Sequence, residues 1–111
     1  MKFLVIGTIK ESASMFPPSL VRQLVEADPA VISQQKKGGK LLEIYWIPGW
    51  NRGMSIREAK SAEEIYRDIA EMPCSIMTNH EVYPLADYNE INKAMVERLK
   101  IAEKMMPAPT K

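Results

Sequence analysis

His80 is the single histidine of the chain, and it is the side chain that can both take and give a proton near neutral pH. It lies in the run Ser75 to Tyr83, which has the apolar and β-branched content of a strand. Side chains alternate along a strand, so His80 shares a face with Ile76, Thr78 and Val82, while Glu81 and Tyr83 point the other way. With the first face turned toward helices, His80 lines an enclosed and mainly apolar cavity. An acid or base placed there can shift a proton on a carbon made acidic by a neighbouring carbonyl. Glu26 is the second candidate acid or base. It sits beside Asp28-Pro29, where the helical pattern is interrupted, and a carboxylate that points inward at such a place becomes a base once it is desolvated. Tyr45, Trp46 and Trp50 can form the wall and lid of a site for a ring-shaped ligand, and Thr78 lines it beside His80. Arg57, and Arg52 near it, can bind a carboxylate in a bidentate contact.

Each assignment has a plainer counterpart. A lone histidine is often hydrogen-bonded in a core or an interface. Glu26 and Asp28 can cap a helix or face solvent, and the aromatics can simply pack the hairpin. Glu43, Arg57 and Glu81 can form a paired cross-strand set buried by a partner.

These residues need a scaffold. Lys2 to Lys10 is apolar almost throughout and reads as a strand buried on both faces. Ser12 to Phe16 is a connection. Pro17-Pro18 opens a helix whose apolar positions run from Leu20 to Ile32. Pro29 should kink or break it, with Asp28 as a new cap, and Gly38-Gly39 ends it. Leu41 to Ile47 and Met54 to Ala59 form a hairpin about the turn at residues 48–53. Ser61 and Glu64 make a capping box ahead of a helix with Ile65, Ile69 and Met72 on its apolar stripe. Ser75 to Tyr83 is the fourth strand, which Pro84 should end. A last helix starts at Asp87 or Asn89 and carries Ile91, Ala94, Met95, Leu99 and Ala102 on one stripe. Pro107 to Lys111 is a tail.

The order β-α-β-β-α-β is a ferredoxin-like α+β sandwich over residues 1–86, followed by a C-terminal helical extension and tail over 87–111. Right-handed crossovers put both helices on one face of the sheet. The other face then exposes apolar residues of the first two strands, and a second copy of the chain is the simplest cover.

Composition narrows the function. The chain has 111 residues with 46% hydrophobic and 26% charged, the balance of one globular domain. A net charge of +1 is not a nucleic-acid-binding surface. One cysteine, Cys74, permits no disulfide framework within the chain and favours a reduced, cytoplasmic setting. The apolar run at the N-terminus is too short for a signal peptide or a membrane span. One histidine and one cysteine do not make a metal site, and no glycine-rich phosphate loop is present.

The Ile47-Pro48-Gly49 turn followed by Ser55-Ile56, the Ser61-led helix, the Met72-Pro73 stop, and Glu81-Val82 followed by Leu85 together resemble the muconolactone isomerase family. The resemblance spans most of residues 2–85. It implies a dimeric α+β barrel, assembly as a homodimer or a higher homo-oligomer such as a decamer, and a proton shift within a small unsaturated lactone with no metal or cofactor. Members acting on muconolactone typically carry a histidine directly after the turn glycine and an asparagine shortly before the serine. Here Trp50 and Gly53 stand at those positions, which points to a different substrate.

The expectation is therefore a cofactor-independent isomerase or cyclase acting by proton transfer on a small unsaturated, lactone- or ketone-like molecule. His80 and Glu26 would do the chemistry, and Tyr45, Trp46, Trp50, Arg57 and Thr78 would bind substrate. The alternatives are a cofactor-free monooxygenase of the same barrel group and a non-catalytic protein for ligand binding or assembly.

Overall fold

The computed structural model describes residues 1–106; the tail expected at Pro107 to Lys111 lies outside them. Four strands, β1 (Lys2–Ile9), β2 (Leu41–Ile47), β3 (Arg52–Glu58) and β4 (Thr78–Leu85), form one antiparallel sheet in the order β2-β3-β1-β4. Two helices, α1 (Pro18–Lys37) and α2 (Ala62–Ala70), make the crossovers, and α3 (Tyr88–Met105) follows. Short 3-10 turns at Glu11–Met15 and Pro73–Met77 lead into α1 and β4. This is the expected ferredoxin-like α+β arrangement.

β1 is central and paired on both sides. Its inner side chains Phe3 and Val5 meet Ile65 and Ile69 of α2 and Ala59 in a compact core, with Val82 packed against it. Its outer side chains, Leu4 and Ile6, are half-buried on the opposite face. A bulge between Leu41 and Glu43 shifts the β2 register, so that Leu41 pairs with Arg57 and Ile44 with Ser55. In the β2–β3 turn, Gly49 and Asn51 take positive φ angles of 83° and 51°, a backbone region that glycine and asparagine tolerate.

Two local expectations are corrected. α1 runs unbroken through Pro29. Proline takes away one backbone donor, but packing against the Pro73–Met77 turn and β2 keeps the helix whole. Asp28 is not a cap of α1; its Oδ1 accepts the backbone N–H of Cys74 at 3.1 Å and fastens α1 to that turn. Pro84 does not end β4 but pairs with Phe3 inside it. β4 is an edge strand, where a missing donor facing solvent does no harm. The caps of the other helices are local and as expected. Ser61 Oγ accepts the N–H of Glu64, the Glu64 side chain accepts the backbone N–H of Lys60 in place of that of Ser61, and Asp87 caps α3 by accepting the N–H of Glu90.

α3 has no buried residue. The molecule measures 72 × 30 × 22 Å with a radius of gyration of 20.2 Å, where a compact chain of this length would have about 13 Å. The two i,i+3 ion pairs Glu90–Lys93 and Glu97–Lys100 lie along α3, and Ile91, Met95 and Leu99 remain exposed.

Candidate active site

The inner face of the sheet carries most of the candidate residues. Cross-strand register aligns Trp46 (β2), Gly53 (β3), Gly7 (β1) and His80 (β4) in one row. Neither central residue has a side chain, so space opens above the middle of the row. α1 and the Pro73–Met77 turn border that space on the helix side. The result is a cavity of about 370 Å³, lined by His80, Trp46, Thr78, Arg57, Asp28 and Cys74 among others. This volume suits a small ligand. A second hollow of about 510 Å³ beside Val31, Gln34 and Lys40 holds none of the candidate site residues.

His80 faces the cavity as the strand alternation requires, with Thr78 and Val82 on the same face. Ile76 does not join them, because it lies in the 3-10 turn. The imidazole leans over Gly7, its Nε2 3.5 Å from where a Cβ of that residue would stand. Burial lowers the His80 pKa below its ordinary 6.5, and the positive charges of Arg57 and Lys10 push it the same way. At neutral pH the ring is uncharged and has a nitrogen free to accept a proton.

Arg57 is 2% exposed. Its Nε donates to Ser55 Oγ at 3.2 Å, Nη1 to Gln35 Oε1 at 2.7 Å, and Nη2 to Met72 Sδ at 3.1 Å. Among the described residues none of the ion pairs involves it. Burial pulls its pKa down while Asp68 acts in the opposite sense. Gln35 is the connector: its Nε2 donates to the Asp68 backbone carbonyl at 2.8 Å. Asp68 itself is buried, with Oδ1 accepting from Lys40 Nζ at 3.2 Å and Oδ2 without a partner. Arg57 is thus a buried cation on the cavity wall without a direct counter-ion, and its field favours negative charge developing in front of it.

Thr78 is held by its hydroxyl, which donates to the Cys74 carbonyl at 2.9 Å. The Cys74 thiol is pushed up to about 11 by burial first and by Asp28 second, so it stays protonated and is no nucleophile at neutral pH.

Of the residues expected at the site, the structure brings together His80, Thr78, Trp46 and Arg57. Tyr45 borders the cavity. Its side chain lies on the outer face, where the hydroxyl donates to Glu43 Oε1 at 3.2 Å. Neighbouring residues of a strand face opposite ways, so Tyr45 and Trp46 cannot both be walls. Trp50 is 67% exposed in the hairpin turn, with the Arg52 guanidinium 6.0 Å from its ring centroid, and it does not line the cavity. Glu26 is on the exposed side of α1, 3.5 Å from Arg22. Asp28, two residues on, is the α1 carboxylate that reaches the cavity. Arg57 faces inward while Glu43 and Glu81 carry their tyrosine contacts on the outer face, so the three do not form a cross-strand set. Gln35, Asp68 and Gly7 were not marked by local sequence pattern, and Gly53 only as a departure from the family; the register across three strands gives the glycines their place.

The sequence model of the muconolactone delta-isomerase family matches residues 1–91. The chain belongs to that family. Its fold is that of muconolactone isomerase, with a TM-score of 0.67 at 22% identity over 79% of this chain and 91% of that one. It is also similar to 5-chloro-2-hydroxyhydroquinone dehydrochlorinase from Burkholderia phenoliruptrix AC1100, solved in complex with 2,5-dihydroxybenzoquinone. There the TM-score is 0.60 at 17% identity, over 81% of this chain and 98% of the other. No curated protein matches in sequence. The family match stops inside the first turn of α3, so most of that helix lies beyond it. Among the described residues there is no group of three or more His, Cys, Asp or Glu side chains able to hold a metal ion. No described helix is long and apolar enough to cross a membrane.

Proposed function

We propose that this member of the muconolactone delta-isomerase family is a cofactor-independent isomerase that moves a proton on a small, unsaturated, oxygenated ring compound. The observation that carries this reading is His80: an imidazole whose pKa is lowered by burial, facing a cavity of about 370 Å³ with a buried guanidinium on its wall that makes no ion pair among the described residues. His80 takes a proton from a carbon next to the ring carbonyl. The electron pair moves onto the carbonyl oxygen, and the enolate formed is stabilised by the field of Arg57. The imidazolium then returns its proton to a different carbon, so the double bond moves and nothing is consumed. Trp46 supplies the apolar wall against which the ring packs. The family membership and the two similar folds support small-molecule chemistry of this kind. Gly53, which lines the cavity where muconolactone-specific members carry an asparagine, favours a substrate other than muconolactone.

The test is proton NMR in heavy water with a panel of unsaturated lactones and cyclic enones, muconolactone included. The wild-type protein should move solvent deuterium into the carbon next to the carbonyl of at least one compound. His80→Gln should do so about 10²–10⁴-fold more slowly with an unchanged melting temperature. No exchange with any compound, or equal exchange by His80→Gln, would overturn the reading. Oxygen uptake in place of exchange would favour a cofactor-free monooxygenase.

A further inference from the structure

Gly7 and Gly53 stand directly opposite each other in the middle of the sheet, on its inner face. Two facing glycines are an expensive choice in strand interiors. They contribute no side-chain packing, and they lose more conformational freedom on folding than any other residue. Neither has a positive φ angle, so no turn or left-handed backbone requires them. Their use is in what lies above them. A Cβ on Gly53 would stand 3.1 Å from Cε3 and 3.4 Å from Cζ3 of Trp46. A Cβ on Gly7 would stand 3.0 Å from Thr78 Cγ2 and 3.4 Å from His80 Cδ2. Both rings therefore lie low against the sheet, one over each glycine, and both line the cavity.

We propose that the Gly7–Gly53 pair is the floor of a slot that selects flat rings, with Trp46 and His80 at its two ends. Because neither glycine holds them off the sheet, Trp46 and His80 lie low, and a flat ligand can pack against both rings across the backbone between them. A puckered, saturated ring of the same size is thicker and loses contact with either the floor or the helix-side wall. Methyl groups on the floor would raise the ligand and tilt the ring above them, because close-packed sites do not absorb an added methyl without displacement. The two positions are separable in their effects. A methyl at Gly53 meets Trp46, the packing wall, and a methyl at Gly7 meets Thr78 and His80, the proton-transfer end.

The proposal rests on the cavity being the ligand site, and the experiment separates the two claims. Trp50→Phe leaves Trp46 as the sole tryptophan and serves as background. Quenching of Trp46 fluorescence is titrated with 2,5-dihydroxybenzoquinone as the flat probe, and competition with 1,4-cyclohexanedione tests the puckered ring. In this background the quinone should bind and the dione should compete at least about tenfold more weakly. Gly53→Ala and Gly7→Ala should each raise the quinone Kd by about tenfold or more and bring it closer to that of the dione. Gly38→Ala, at the end of α1 with no atom nearer than 3.6 Å to its new Cβ, should leave both constants unchanged. Thermal melts confirm that the variants are folded. Quinone binding that is indifferent to both floor substitutions would overturn the slot while leaving the cavity as the site. Absence of quenching in the background protein would overturn the cavity as a ring-binding site, and the slot with it.

Discussion

At the scale of single residues, the candidate site depends on a half-buried imidazole and a buried guanidinium. His80 has a folded-state pKa below 6.5. The unfolded chain therefore takes up this proton first as pH falls. Stability associated with the neutral imidazole is full above about pH 6.5 and is lost as pH drops from there through the folded-state value. Urea midpoints followed from about pH 8 to about pH 5 should fall over the acid half of that range in the wild type and fall less in His80→Gln. Equal slopes in the two proteins would show that His80 is not held neutral by its surroundings. Arg57 is kept in place by Gln35, which accepts its Nη1 donor at 2.7 Å inside the core. Gln35→Ala leaves that donor buried and unanswered, at a cost of about 1–3 kcal/mol. Urea unfolding should register this loss, and a midpoint unchanged from wild type would mean that water or another acceptor fills the gap. His80 was legible from the chain because strand alternation is a local rule. Gln35 was not, because its partners are 22 and 33 positions away.

Among the elements, α1 departs most from its local pattern. Pro29 lies inside a helix of 20 residues, and in helix interiors proline is about 3 kcal/mol less favourable than alanine. Contact with the Pro73–Met77 turn, including the Asp28 bond to Cys74, holds the helix together across it. Pro29→Ala should therefore raise the urea midpoint, since the Asp28 contact stays and a backbone donor is restored. A lower midpoint would mean that the proline ring itself packs or bends α1 toward the turn. Strands, caps and the hairpin followed from neighbouring residues and so were readable in the sequence. The continuity of α1, the place of Pro84 inside β4 and which of Tyr45 and Trp46 turns inward were not. The first depends on packing at a distance. The second depends on β4 being an edge strand. The third depends on the bulge at Leu41 and Glu43, which sets the phase of β2. The bare floor of the cavity depends on pairing among three strands, and no local window contains it.

At the scale of the whole molecule, two apolar surfaces lie without cover among the described residues. One is the outer sheet face with Leu4, Ile6, Met54 and Ile56. The other is α3 with Ile91, Met95 and Leu99 exposed. Soluble monomers seldom leave contiguous apolar patches larger than a few hundred Å² uncovered. Light scattering at micromolar concentration should therefore give at least a dimer, formed by packing two sheets face to face. Removing the residues after Tyr88 should lower the assembly state or the solubility, because α3 has little of its own core to join. A monomeric wild type would refute the sheet packing. An unchanged size and melting temperature after truncation would show that α3 takes no part in assembly.

In the proposed site a neutral His80 imidazole faces the cavity that takes the ligand. Because the chain has one histidine, its imidazole resonances can be followed by NMR without assignment. A pH titration of the free protein should give a midpoint below 6.5. Saturation with 2,5-dihydroxybenzoquinone should shift those resonances and the midpoint together. A midpoint at or above 6.5 that the ligand leaves unmoved would contradict the account.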